Sequence, residues 1–540
     1  MKTIKSYIKY LVLAMSVMVT ASCTKLDENI YSKLETGNFY NNKNEVLSAV
    51  LRPYTHANAW ITPGQNGWWR ISELSSDLLS WPQKGRHGYD DGKWIRDHYH
   101  TWIYDDEAVW EPWRLMWWGL GLCNDPIENL ERREAAEMGI TQEEKDAYIG
   151  EMKLLRAFHH MRLMDLWGNI PIVTVVGEKD PPTKPRTEVF NFIEKEILEN
   201  MENLPNLSSN NIGRISKAAA YGMLVELYLN AEVWTGTARW DDCITYCNKL
   251  INSEAGGQSG AMALDPTITA TYNNTNDKSK EIIFSIAYKF RDGIGWKPQW
   301  TGDFYHFNQR FIYGGEHDGN DGVVVNPGVW DQYYKNTDMR KESWFLHGRQ
   351  TPYDPSKPVL GTEEYRGQPL EFVDNIRRNS EGSTRSDMTQ GEENSGYRFN
   401  KYKPGASTDP NYMSNDWAIY RLTWVYFAKA EAIMRKNGGT ANAEAVDLIN
   451  TCKRRAFSAA DWPAEAYTTS TLTINELFNE RTREFFFEGW RRQDLIRFGR
   501  FLTAEWWDHK PSLQEHLKLM RVPDRQIQLN PNLKQNPGYN

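Results

Sequence analysis

Apolar residues recur at helical spacing in several long windows of the chain, and only one apolar run is short enough to be a strand. Val46, Leu47, Val50 and Leu51 mark a first helix that should stop at Pro53, because proline brings no N–H to a helix interior. Trp110, Trp113 and Trp117 stand at i, i+3 and i+7, one face of a helix predicted from about Glu107 to Leu130. Thr141 followed by Glu144 reads as a capping box for a long helix through Leu154, Ala157, Met161 and Met164, ended by Gly168 and Pro171. Thr187 is the expected cap of a helix to about Asn203, and Thr473 with Glu476 repeats the capping-box spacing before the last helices. The strand is EIIFSIAY at 281–288.

Two helical segments resemble each other. Ala231-Glu232 closes one apolar helix and the next carries Leu250-Ile251-Asn252; Ala430-Glu431 is followed at nearly the same distance by Leu448-Ile449-Asn450. Small alanines let paired helices approach closely, as in TPR-type repeats that bury their faces only against a neighbour. Between the copies lies chain rich in Gly, Asn, Asp and Pro, and a similarly punctuated stretch fills residues 62–102, read here as loop. Long loops in compact domains are often functional.

The first residues change the picture from a free protein to a tethered one. Lys2, Lys5 and Lys9 precede an apolar run at 11–19 that is too short for a bilayer of roughly 30 Å, as in a secretion signal. Thr20-Ala21-Ser22-Cys23 then has the form of a bacterial lipoprotein cleavage site, with Cys23 as the lipid attachment. Several acyl chains at about 0.8 kcal/mol per buried methylene make such an anchor effectively permanent. The chain therefore divides into a leader (residues 1–22), a lipidated cysteine and polar tether (23–43), an N-terminal helical part (44–255), a loop-rich insertion (256–415) and a C-terminal helical part (416–540).

Net charge moves from −8 to −11 when the three leader lysines are removed, the wrong sign for a nucleic-acid or anionic-membrane binder. Cys123, Cys243, Cys247 and Cys452 form no CxxC, and Cys243 and Cys247 share a helix face as small core residues. The aromatic load is the distinctive feature: ten of the 23 tryptophans fall within residues 60–118.

Several segments then become specific together. EMKLLRAFHHMRLMDLWGNIPIV, GRISKAAAYGMLVELYLNAEVW, YFAKAEAIMR, RTREFFFEGWRRQDLIRFGRF and the final NPNLKQNPGYN follow the lipoprotein start in order. In this the chain closely resembles the SusD/RagB family of Bacteroidetes outer-membrane nutrient-binding lipoproteins. The resemblance implies a mainly α fold, a TPR-like helical-hairpin scaffold packed against a loop-rich irregular part with a few short strands. It also implies cell-surface binding of oligosaccharide or polysaccharide, delivered to a SusC-like TonB-dependent transporter in the outer membrane.

Sugar rings offer apolar C–H faces to aromatic rings while polar neighbours take the hydroxyls. Loop-borne aromatics suit that task better than those committed to helix packing. Trp81, Tyr89 and Trp94, with Arg86, Asp90, Asp91 and Lys93 nearby, and Trp296, Trp300 and Tyr305 after the inserted strand are the candidates. Charges of alternating sign from Arg481 to Arg497 read as an intramolecular ion-pair network rather than an active site. No cofactor is expected: DGNDG at 318–322 is a misspaced fragment of a calcium loop, and neither GxSxG nor HExxH occurs. Three alternatives stay open: a peptide-binding RagB-like uptake protein, a glycoside hydrolase on a helical scaffold with two facing carboxylates, and a protein-interaction scaffold.

Overall fold

The computed structural model describes residues 39–289, 301–315, 317–405 and 413–539. Cys23, Trp296 and Trp300 lie outside the described residues. Helix α1 (Lys43–Ile61) starts at Asn42, whose side chain accepts the Glu45 N–H. It does not stop at Pro53 but runs through it. The turn beyond the proline buries Tyr54, Ala57, Trp60 and Ile61, and this burial outweighs the lost backbone bond.

Residues 62–102 are also more ordered than a loop. They hold α2 (Trp68–Leu74), the two-residue strand β1 (Leu79–Ser80) and α3 (Lys93–Tyr99). Every residue of α2 is buried, so it has no polar face and leaves no amphipathic period to read.

Two long helices, α4 (Glu107–Arg132) and α5 (Gln142–Trp167), form the centre of the N-terminal part. Thr141 and Glu144 make the reciprocal capping box at the start of α5. Helix α1 packs on α4, and α6 (Arg186–Asn200) packs on α5. Pro185, not Thr187, precedes α6, because its carbonyl already accepts the N–H groups of Glu188 and Val189. From residue 145 onward α5 is buried on nearly every face, so its charges need internal partners. Arg162 pairs with Glu226, Glu151 with Arg214 and Tyr54, and Arg156 with Glu196.

The similar segments form two helix pairs that meet. Helix α7 (Lys217–Leu229) is followed by the short α8 (Ala231–Thr235) and packs on α9 (Trp240–Ile251). After β2 (Ile282–Ile286), α10 (Thr301–Phe304), β3 (Val324–Val325), β4 (Phe345–Leu346), β5 (Gly348–Arg349), β6 (Glu371–Phe372), β7 (Arg398–Phe399) and β8 (Trp417–Arg421), the second pair follows. It consists of α11 (Leu422–Lys436) on α12 (Ala443–Lys453), with α11 also lying on α9. Helices α13 (Ile474–Phe485), capped by Thr473, and α14 (Arg491–Arg497) complete the scaffold.

Among the described residues the strands make four separate two-stranded antiparallel ribbons: β1 with β3, β2 with β8, β4 with β7 and β5 with β6. In the β2–β8 ribbon Ile282 faces Arg421 and Ile286 faces Trp417, so the intervening segment leaves and re-enters the scaffold side by side.

Buried ion pairs bind these parts together. Arg421 at the end of β8 reaches Glu281, Glu484 and Glu488, and Lys401 also holds Glu488. Arg340 joins Asp338 to Glu480 and Glu484, while Glu431 of α11 accepts from Arg497 and Arg435. Burial alone would raise the Glu281 carboxyl, but Arg455 and Arg421 bring it down to about 2. The charges from Arg481 to Arg497 are thus spent inside the protein, with the exception of Arg492, which meets no carboxylate among the described residues. The four cysteines among the described residues are buried and unpaired.

Candidate ligand-binding site

The insertion and residues 68–94 meet around a cavity of about 380 Å³ lined by aromatic and charged groups. Trp81, just after β1, and Trp94, on α3, lie face to face with ring centroids 4.9 Å apart and planes 13° from parallel. Arg70 of α2 brings its guanidinium to 5.2 Å and 5.3 Å from the two ring centroids. Its other contacts fix it there: Nε donates to the Pro63 carbonyl at 3.1 Å, and Nη2 pairs with Asp303 of α10. Cation, rings and carboxylate form one unit drawn from two stretches of chain, residues 70–94 and the distant Asp303.

Asp303 is almost fully buried, and burial pushes its carboxyl up to about 6 although Arg70 pulls the other way. Asp90 accepts the Trp94 indole N–H at 2.7 Å, and Lys93 places Nζ 4.8 Å from the centroid of the same ring. His87, Gly88 and Asn320 complete the lining.

Two glycines let the backbone close on Trp81. A Cβ at Gly322 would stand 2.6 Å from the indole, and one at Gly88, where φ is +73°, would stand 2.8 Å from the Pro82 carbonyl. Buried Lys84 then ties the two loops together, donating to the Asp321 and Gly322 carbonyls. Asp321 also pairs with Arg398 at 2.8 Å, so its carboxylate is already engaged by cations. Burial, with Arg398 close by, pushes Lys84 down to about 7. No group of three His, Cys, Asp or Glu side chains among the described residues could hold a metal ion.

The structure places the sequence candidates differently from one another. Trp81 and Trp94 come together but are 6% and 1% exposed, each covering a face of the other. Trp94 is helical rather than loop-borne, because three left-handed residues, Asp90, Asp91 and Gly92, turn the chain into α3 just before it. Tyr89, at the head of that turn, is 52% exposed. Tyr305 is buried against Tyr313, with centroids 5.6 Å apart, and does not line the cavity. Sequence reasoning missed Arg70 and Asp303. Only Arg70 left a signal, standing directly after Trp68 and Trp69.

The comparisons with known proteins agree on one family. A model described as the SusD family matches residues 245–518, just over half of the chain, and another described as "Starch-binding associating with outer membrane" matches residues 26–229. The starch-binding protein SusD of Bacteroides thetaiotaomicron is 26% identical over 435 residues, 74% of each chain. Among solved structures, surface glycan-binding protein A from Bacteroides thetaiotaomicron in complex with laminarihexaose superposes with a TM-score of 0.68 at 20% identity. That match covers 92% of this chain and 99% of the other. A laminarin-binding SusD-like protein gives 0.67 at 18% identity over 93% and 100%. These structures share the mainly helical fold described above. This chain belongs to the SusD family.

Proposed function

We propose that this protein binds glycan at the bacterial cell surface, at the cavity beside Trp81 and Trp94, and delivers it to a SusC-like TonB-dependent transporter. It associates with the outer membrane through lipid on Cys23 and needs no cofactor. The observation that carries the reading is the Trp81–Trp94 stack held by Arg70 and Asp303 on one wall of the cavity, with exposed Tyr89 standing in sequence between the lining residues Gly88 and Asp90. Tyr89 offers a ring face to a sugar, while His87, Lys93 and Asn320 offer hydrogen bonds to its hydroxyls. Relatives named for starch and laminarin binding support the ligand class.

The two acids of the cavity do not act as a hydrolytic pair. Asp303 is tied to Arg70 and Asp90 to the Trp94 indole, so both hold the rings in place. Affinity electrophoresis in starch and laminarin gels, with reducing-end release followed in parallel, tests the proposal. Retarded migration without shortening of the polysaccharide is expected. Release of reducing ends in proportion to protein, abolished in Asp303→Asn, would turn the reading into that of an enzyme. Retention of peptides but of no glycan would replace the ligand class.

A further inference from the structure

A separate cavity of about 390 Å³ lies among α5, α6, α8 and α14 and shares no lining residue with the aromatic cavity. Trp234, Val233, Ile496 and Leu519 give it an apolar wall. Facing them is Arg186, the first residue of α6. Its Nη2 donates only weakly, at 3.3 Å, to the Asp165 carbonyl, and its buried Nε has no partner. Behind it Arg492 is fully buried, gives Nη2 to the Lys518 carbonyl at 2.7 Å, and leaves Nε and Nη1 without partners.

This is unlike the treatment of buried arginines elsewhere in the molecule. Arg162, Arg340, Arg421 and Arg497 each meet one or more carboxylates directly. Arg186 and Arg492 form no ion pair among the described residues. The Asp165 carboxylate nearby accepts the Trp68 indole at 3.4 Å and offsets one of the two charges through space. At the rim Lys518 and Glu515 pair at 2.6 Å and cancel. Among the described residues one positive charge is left over beside an apolar wall. Burial and the neighbouring Arg492 accordingly push the Arg186 guanidinium down to about 10. A charge left so exposed to cost is stabilised most by an anion.

We propose that this cavity binds a small anionic molecule whose carboxylate or sulfate group meets Arg186 while its ring or apolar body lies against Trp234. The guanidinium carbon is 5.7 Å from the Trp234 centroid, so charge and flat surface are presented together. The cavity is of the size that holds small molecules, which typically take 300 Å³ upwards. An acidic sugar or a sulfated one has both features. Neutral sugars have only the second.

Isothermal titration calorimetry on the full chain with sodium glucuronate, sodium sulfate and glucose, at ionic strength held by sodium chloride, tests this. Saturable binding of one or both anions is expected, with none of glucose, and the preferred anion identifies the head group. Arg186→Gln should weaken that binding about ten- to a hundredfold, the loss expected for a charged hydrogen bond. It should leave polysaccharide retention at the aromatic cavity unchanged. Should Arg186→Gln fail to fold, Lys518→Glu at the exposed rim decides the matter, since reversing that charge must weaken anion binding. No saturable anion binding, equal binding of glucose, or anion binding unaffected by these substitutions would overturn the proposal. Loss of polysaccharide retention in folded Arg186→Gln would do so too.

Discussion

Tyr89 and Trp94 are five residues apart and make opposite predictions. Trp94 is 1% exposed, stacked on Trp81 and hydrogen-bonded to Asp90, so Trp94→Ala removes a whole buried indole. Large aromatic deletions cost about 3–5 kcal/mol. With an unfolding entropy near 2.1 cal/mol/K per residue over roughly 500 residues, that is a fall in Tm of about 3–5 °C. Tyr89 is 52% exposed, so Tyr89→Ala should change stability by no more than about 0.5 kcal/mol. Its effect should fall on binding instead. If its ring stacks on a sugar as rings stack on other flat ligands, about 1–3 kcal/mol is lost, roughly five- to more than a hundredfold in affinity. Both variants should be melted by differential scanning calorimetry and run in the same polysaccharide affinity gels. A Tyr89→Ala protein that melts and binds as the parent does would refute the claim that this ring meets the ligand. A Trp94→Ala protein with unchanged Tm would refute the claim that the stack is structural.

Three further outcomes are expected. Glu431→Ala leaves buried Arg497 and partly buried Arg435 without their shared carboxylate and should cost about 3–5 kcal/mol in urea unfolding; a loss below about 1 kcal/mol would mean the network does not lock α11 to α14. Glu73 is wholly buried and burial pushes its carboxyl up to about 8, so folding favours its neutral form: its contribution is fully present below pH 4.5 and is lost as pH rises toward 8. Relative to Glu73→Gln, parent stability should therefore fall by about 1.4 kcal/mol per pH unit across that window, read from unfolding curves at pH 5, 6 and 7, and equal slopes would contradict it. Cys23→Ala should leave the outer-membrane fraction of the native host when the transporter is absent, and continued membrane association would rule out lipid as the sole anchor.

The scaffold was largely readable because its signals are local. Thr141 and Thr473 cap the helices they were expected to cap, and Ala231 and Ala430 mark two helix pairs that pack through α9 and α11. Pro53 misled because the reason α1 continues is Trp60 and Ile61 packing seven and eight residues later. Residues 62–102 misled because segments buried on all sides have no period. The candidate cavity was half readable: a density of tryptophans marked the region, but not which rings would cover one another. Arg70 and Asp303 are 233 positions apart, and no single-sequence pattern announces such a pair.

The β2–β8 ribbon has a consequence for how such a protein can change. Since the insertion leaves and returns through two neighbouring strands, its ends are held at a fixed short span whatever lies between them. Lengthening a closed loop costs only about 0.6 kcal/mol for each doubling. Segments beyond the ribbon other than those carrying Arg340 and Lys401, which hold buried carboxylates of the scaffold, can therefore be grown, trimmed or exchanged with little penalty to the helices, and a lineage meeting a new nutrient can rebuild the surface there while inheriting the frame intact.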